Sequence, residues 1–260
     1  MKKVIILLVL ATFAHISNAQ QQGTGLKKLS LKGHVKQITC LIYEKVGPVG
    51  TTTFDTLSRP ERRVIEFDTS GNITRETDYS DNGSVKDKVV YNYPNDKTVV
   101  INYFDPWDNP VSQSIDRYDK NGFEVEYIHR TAKGVSNRLV FKNDKDGRLI
   151  ELDNYVKNDS LSFKTVNNYT DNGQKIGESL FDEHGKQFQK TVITNDLSNR
   201  PIHKEIFDMN GKIGFTWNCT ESLIDQSGNW QVEQIETFYQ PQHGGEMTAK
   251  ILTKRKIEYY

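Results

Sequence analysis

The chain has 260 residues, 34 of them basic and 34 acidic, with 35% hydrophobic content and a mean hydropathy of -0.66. Charges of both signs are spread evenly, which leaves no basic footprint for nucleic acid and no polybasic patch for anionic lipid. The content of Tyr, Phe, Val and Ile excludes a disordered chain, yet apolar residues are too few for a thick globular core, so a thin sheet is expected.

At the start, Lys2 and Lys3 precede an apolar run from Val4 to Phe13, and Ser17-Asn18-Ala19 offers the small residues that a signal peptidase reads. This pattern predicts a cleavable export signal over residues 1–19, cut after Ala19. No Cys follows the run, so a lipobox is not indicated. No later stretch approaches the ~18 apolar residues of a membrane span, and stable membrane insertion is not expected. Residues 20–30 read as a linker and 31–260 as one array. Without Lys2 and Lys3, 32 basic residues face 34 acidic ones. The expected location is secreted or periplasmic.

The segment from Leu31 to Glu44 reads as a turn-free strand of unusual length. Beyond it an aromatic followed by Asp-x-x-Gly recurs: Phe67-Asp68-Thr69-Ser70-Gly71, Tyr118-Asp119-Lys120-Asn121-Gly122, Phe181-Asp182-Glu183-His184-Gly185 and Phe207-Asp208-Met209-Asn210-Gly211. The turn series runs Gly71, Gly83, Asp96, Asn109, Gly122, Gly134, Gly147, Asp159, Gly173, Gly185, Asn199, Gly211. Every second member lies 25 or 26 residues from the last, so the unit is two strands and two turns. Asp at the first position of a type I turn bonds nearby backbone, and Gly at the fourth takes the left-handed conformation of a bulge. The structural positions are therefore Asp68, Gly71, Gly83, Asp119, Gly122, Asp144, Gly147, Gly173, Asp182, Gly185, Asp208, Gly211 and Gly228.

Between turns the pattern alternates as strands do. Phe123, Val125, Tyr127 and His129 share a face opposite Glu124, Glu126 and Arg130, and Val135, Asn137, Leu139 and Phe141 behave similarly. The segment from Leu149 to Val156 carries apolar residues on both faces. Tight turns make sequential strands antiparallel neighbours. The predicted fold is all-β: an antiparallel meander of about 15 strands, twisted or spiralling. Its ends should differ from its middle. The chain closes with Gly228-Asn229-Trp230, a hairpin around His243-Gly244-Gly245, and a charged last strand that should discourage growth of the sheet.

These residues resemble YD-repeat (RHS-like) proteins, in particular short secreted members of the Bacteroidetes type. The likeness rests on Tyr118-Asp119-Lys120-Asn121-Gly122 and its Phe-Asp versions, on Leu31-Lys32-Gly33-His34-Val35-Lys36-Gln37-Ile38, and on Asp225-Gln226-Ser227-Gly228-Asn229-Trp230 with Ile257-Glu258-Tyr259-Tyr260. It covers about residues 31 to 260. The resemblance implies a β-hairpin array serving as scaffold, shell or binding surface, with no enzymatic activity. This chain is too short to enclose a domain as large RHS proteins do.

Other constellations weigh little. Asp144-Lys145-Asp146-Gly147 comes nearest to a calcium loop, but Lys142 stands where the first carboxylate belongs and Asp153 at the far end. The mature histidines His34, His129, His184, His203 and His243 lack metal-ligand spacing, so no metal or cofactor is expected. There is no Gly-x-Ser-x-Gly elbow, Ser-x-x-Lys or phosphate-binding loop. Cys40 and Cys219 would lie about 12 strands apart in an open array, more than ~50 Å, against the ~7 Å that a disulfide tolerates. Twelve Tyr, twelve Phe and three Trp should form ladders on one sheet face and make the core. Trp107, at a turn, is the candidate exposed aromatic, whereas Trp217 and Trp230 should pack. The expected function is a non-catalytic scaffold or interaction protein whose partner is a protein or cell-envelope component. Carbohydrate binding through exposed aromatics is the alternative, and a hydrolase with cross-strand carboxylates the third reading. An open array keeps two edges, so a second copy joined edge to edge is a candidate partner.

Overall fold

The computed structural model describes residues 29, 31–48, 60–197, 199–239 and 247–260. The predicted export signal, all of the linker but residue 29, and the hairpin around His243-Gly244-Gly245 fall outside them. Within the described residues, 16 strands form one closed antiparallel barrel. In chain order they are β1 (Val35–Pro48), β2 (Glu61–Phe67), β3 (Ile73–Tyr79), β4 (Val85–Asn95), β5 (Thr98–Phe104), β6 (Pro110–Tyr118), β7 (Glu124–Thr131) and β8 (Gly134–Asn143). Then come β9 (Leu149–Val156), β10 (Ser160–Tyr169), β11 (Lys175–Asp182), β12 (Gln187–Asn195), β13 (Pro201–Asp208), β14 (Ile213–Ile224), β15 (Trp230–Tyr239) and β16 (Met247–Tyr259).

The hairpins form as the turn chemistry dictates. At Asp119 the backbone N–H donates to the Phe123 carbonyl at 2.8 Å, and the Gly122 N–H returns to the Asp119 carbonyl at 3.1 Å. The Asp119 carboxylate accepts from the Asn121 and Phe123 N–H groups at 2.8 and 3.0 Å. The same scheme recurs at Asp144, Asp182 and Asp208. Each places a glycine at positive φ, from 75° at Gly211 to 80° at Gly122, where a Cβ would be strained. The extra residue shifts the register beside the turn, as between Arg117 and Tyr118, which marks a bulge. Three turns vary this scheme. Between β5 and β6 the left-handed residue is Asp108 and not Asn109, and Ser80 and Thr170 use hydroxyls where other turns use a carboxylate.

The open meander of about 15 strands is overturned by the pairing of β1 with β16. Their ladder runs from Val35↔Tyr259 to Pro48↔Met247. The charged last strand, expected to stop growth, is therefore the closing strand, and the long first strand is its partner. Closure leaves no free edge, which removes the proposed edge-to-edge dimer. Terminal tyrosines fasten the seam: the Tyr260 N–H donates to the His34 carbonyl at 2.9 Å, and its hydroxyl reaches past β1 to the Phe67 carbonyl at 2.6 Å. Cys40 and Cys219 are not in a disulfide. Closure brings their strands, β1 and β14, to three strand spacings, about 14 Å, still too far for a bridge.

Directly opposed residues of antiparallel neighbours share a face, so the inside can be traced strand by strand. One row passes Ile38, Ile65, Glu76, Val89, Tyr103 and Ser112. Another passes Phe141, Leu152, Thr165 and Leu180, and a third Ile193, Lys204, Trp217, Thr237 and Ala249. Most buried strand residues lie on this face, among them Ile38, Cys40, Ile65, Ile101, Phe141 and Ile193, with Thr77, Ile128, Asp153 and Thr248 buried on the other, so this face is the lumen. The opposite face carries Arg117, Glu126, Arg138, Lys142, Glu151 and Lys164. Glu124, grouped in the alternation with Glu126, faces inward and is 5% exposed, because the bulge beside Tyr118 turns it.

Candidate functional site

The barrel lumen is the concave part of the molecule. A wall of 16 strands is wide enough to enclose space that side chains do not fill, and inward residues toward the distal turns such as Leu139, Phe163, Ile206 and Phe215 are half-buried. The two rims differ. The proximal rim holds the strand ends Val35 and Tyr259 and the turns after β2, β4, β6, β8, β10, β12 and β14. Its turns lean on their neighbours: a Cβ on Gly147 would meet the Phe123 ring at 2.0 Å, and one on Gly228 the Lys32 ammonium at 2.9 Å. Asn229, 1% exposed, accepts from the Lys32 N–H at 2.7 Å and donates to the Lys32 carbonyl and the Tyr259 hydroxyl, both at 3.0 Å. The distal rim holds the turns after β3, β5, β7, β9, β11 and β13. There a Cβ added to Gly83, Gly134, Gly185 or Gly211 would meet nothing within 4 Å.

Between the rims the lumen wall combines aromatic and aliphatic side chains, Tyr91, Tyr103, Tyr127, Leu139, Phe163, Phe215, Trp217 and Ile235, with inward acids such as Glu76, Asp116 and Glu178. A polar cluster interrupts it on β5–β7. The Ser114 hydroxyl lies 2.9 Å from the Tyr127 hydroxyl, 3.4 Å from that of Tyr103 and 2.9 Å from His129 Nδ1. Burial holds the His129 pKa below the usual histidine value. A Ser–His contact invites a nucleophile reading, but Ser114 is 0% exposed and ringed by three partners, so no substrate carbonyl reaches it. Farther round, Arg63 donates two bonds to Asp78 at 2.6 and 2.7 Å, and the Tyr91 hydroxyl donates to Glu76 at 2.6 Å. Burial, and then the Asp78 charge, raise the Asp87 pKa. Burial also raises that of Glu233.

The outer wall is charged along the strands. Arg117 and Arg138 flank Glu126 at 2.5 and 3.5 Å, and Arg138 also meets Asp159 at 2.6 Å. Lys142 and Lys164 hold Glu151 between them, the latter at 3.1 Å, and Lys250 meets Glu236 at 3.1 Å. A lipid-facing strand pays about 2–4 kcal/mol for each Arg or Lys at the bilayer midplane, so this surface suits water. No helix of the described residues is long and apolar enough to cross a membrane. Among them no His, Cys, Asp and Glu group could hold a metal ion.

Trp107 projects from the distal rim, 79% exposed, its N–H held by Asp105 at 2.9 Å. The turn residues Asp68 through Gly228 occupy their turns, spread round both rims, and converge on no site. Trp217 lines the lumen, and Trp230 opens β15. Reading the sequence missed Lys204, Trp217, Phe215 and the Ser114 cluster as one surface. The alternation on β7 and β8 could have pointed to it, but the bulges blur the face on which each strand begins.

Neither a protein-family model nor a curated protein sequence matches this chain. Among solved structures it is similar to a porin-like protein from Bacteroides uniformis, at 9% identity and TM-score 0.60 over 86% of this chain and 96% of that one. It is also similar to a porin-like protein from Bacteroides vulgatus, at 11% identity and TM-score 0.47 over 88% and 99%. A LolA superfamily protein from Nitrosomonas europaea aligns at 9% identity and TM-score 0.30 over 95% and 93%. The first of these likenesses shows the barrel fold. It overturns the resemblance to YD-repeat proteins: the metered turns belong to the hairpins of an up-and-down barrel, in which evenly spaced reversals are equally required.

Proposed function

We propose that this chain is a non-catalytic binding protein of the cell envelope that holds an apolar or amphiphilic molecule in its barrel lumen. One observation carries the reading: ion pairs such as Arg117–Glu126 and Lys250–Glu236 run along the outer wall while aromatic and aliphatic side chains line much of the lumen, an arrangement unlike that of a membrane channel with its polar lumen and apolar exterior. Such a polarity keeps the wall in water while offering the inside to a ligand that water rejects, at about 25 cal/mol for each Å² of apolar surface buried. The proximal turns pack on their neighbours and the described distal turns do not, which favours the distal end as the mouth. The export signal predicted for residues 1–19 supports an envelope location. Binding of glycans is less favoured, because outward rings such as Tyr43, Tyr79 and Tyr155 lie under Lys254, Arg62 and Arg138, and Trp107 by itself provides no platform of successive rings.

The test is saturable binding of N-phenyl-1-naphthylamine to the purified mature chain, followed by its fluorescence, with native mass spectrometry of the protein as isolated. Saturation, weakened several-fold by Phe215→Ser, is the expected result. Absence of both saturation and any co-purifying amphiphile overturns the reading.

A further inference from the structure

Lys204 is an inward-facing cation that the lumen wall does not pair. It lies on β13, directly opposed to Ile193 on β12 and Trp217 on β14, so it points inward between an aliphatic and an aromatic neighbour. Its ammonium sits 5.0 Å from the centroid of the Trp217 ring. Several lysines of the outer wall have carboxylates at ion-pair distance, as Lys164 and Lys250 do at 3.1 Å, and among the described residues the inward Lys204 has none. The acids that influence it are Glu178 and Glu233. Glu178 is taken by Lys175 at 2.8 Å and accepts from the Thr191 hydroxyl at 3.5 Å, while Glu233 also feels Arg255 and Arg200.

A cation removed from water without a partner is costly, and cation–π contact offsets only part of the loss. A lumen that received only neutral chains would be better served by Leu or Met at this position. We infer that the lumen takes an anionic amphiphile, with Lys204 pairing its carboxylate or phosphate headgroup and Phe215, Trp217, Ile206 and Ile235 packing its chain. This rests on the lumen being the ligand site and names the class of ligand. Burial holds the Lys204 pKa below the usual lysine value, and a bound anion would favour the charged form again.

The experiment compares three probes of equal chain length, hexadecanoate, hexadecyl phosphate and hexadecanol, on the full mature chain and its Lys204→Met and Lys204→Arg variants, by displacement of N-phenyl-1-naphthylamine. Melting curves taken alongside verify that both variants fold. The expected result is that at least one anion binds ten-fold or more tighter than the alcohol to the unaltered chain. Lys204→Met abolishes that preference while leaving the alcohol within two-fold, and Lys204→Arg retains it. Whichever anion loses more on Lys204→Met assigns the headgroup as carboxylate or phosphate. Binding of the alcohol with no preference for either anion, or a preference that survives Lys204→Met, overturns the headgroup inference and leaves the lumen reading standing. No binding of any probe to the unaltered chain overturns the lumen reading and this inference with it.

Discussion

The proximal and distal rims are built from the same turn, yet they bear different loads. On the proximal rim the turns interlock, with Phe123 against Gly147 and Lys32 against Gly228. Buried residues such as Val35, Tyr118 and Leu149 gather beneath them. On the distal rim the glycines stand clear of neighbours, and Trp107 and Met209 are 79% and 56% exposed. One turn chemistry thus serves two ends, and what separates them is packing. That asymmetry is the one the proposed one-ended binding cavity would use.

The sharpest way to break this comparison is a pair of glycine substitutions. Gly147→Val combines a positive φ of 79° with a Cβ 2.0 Å from the Phe123 ring, and should cost about 3–5 kcal/mol, from backbone strain plus overpacking. Gly185→Val meets only the strain, about 1–2 kcal/mol. Urea midpoints with unchanged slopes would measure both; equal losses would show that the rims do not differ.

Next in size is the asparagine that ties the seam. Asn229→Ala leaves the Lys32 backbone groups and the Tyr259 hydroxyl without its three bonds, a loss of about 2–3 kcal/mol. Asn109→Ala, an exposed distal counterpart bonded to Asp105, should stay within about 1 kcal/mol. Thermal unfolding of the two variants reads the contrast directly.

Acid should weaken both rims together. Asp105 and Asp208 on the distal rim, with Asp144 and Asp225 on the proximal one, have pKa values below the usual carboxylate range. At Asp105 the Asn109 side chain leads, and at Asp208 the Lys212 N–H. Hydrogen bonds from the Arg148 and Asn229 N–H groups outweigh desolvation at Asp144 and Asp225. A depressed folded pKa means stability that is present above the unfolded value near ~4 and lost as pH falls through the folded value. In the lumen Asp87 and Glu233 are shifted upward by burial, so lowering the pH toward ~4 relieves them. His129, whose pKa burial lowers, acts the other way, because the unfolded chain takes up its proton first as pH falls below ~6.5. The melting temperature should therefore fall steeply only below about 4, and in a His129→Gln variant it should rise slightly from neutral pH toward about 5; a monotonic decline from neutral pH in that variant would mean that the lumen acids contribute nothing. The smallest effect belongs to Trp107→Ala, which should change stability by no more than about 0.5 kcal/mol as read by thermal melting.

Much of the wall was legible in the residues. Asp119 and Gly122 announce their hairpin because an Asx bond and a left-handed glycine are local requirements, satisfied within five residues. Sequential pairing followed from short turns for the same reason. The lumen was not legible. Glu124 looks outward in simple alternation and is buried inside, because the bulge beside Tyr118 resets the face. Lys204 looks like any exposed strand lysine until the third row of the lumen is traced through Ile193 and Trp217.

Turn positions, strand lengths and antiparallel order are set by the amino-acid sequence itself, since each depends on backbone geometry across a handful of neighbouring residues. Closure is of another kind. Whether Val35 meets Tyr259 depends on twist accumulated over 16 strands and on the fit of two chain ends about 220 residues apart. Only the tertiary structure decides it, and with it which face becomes the inside.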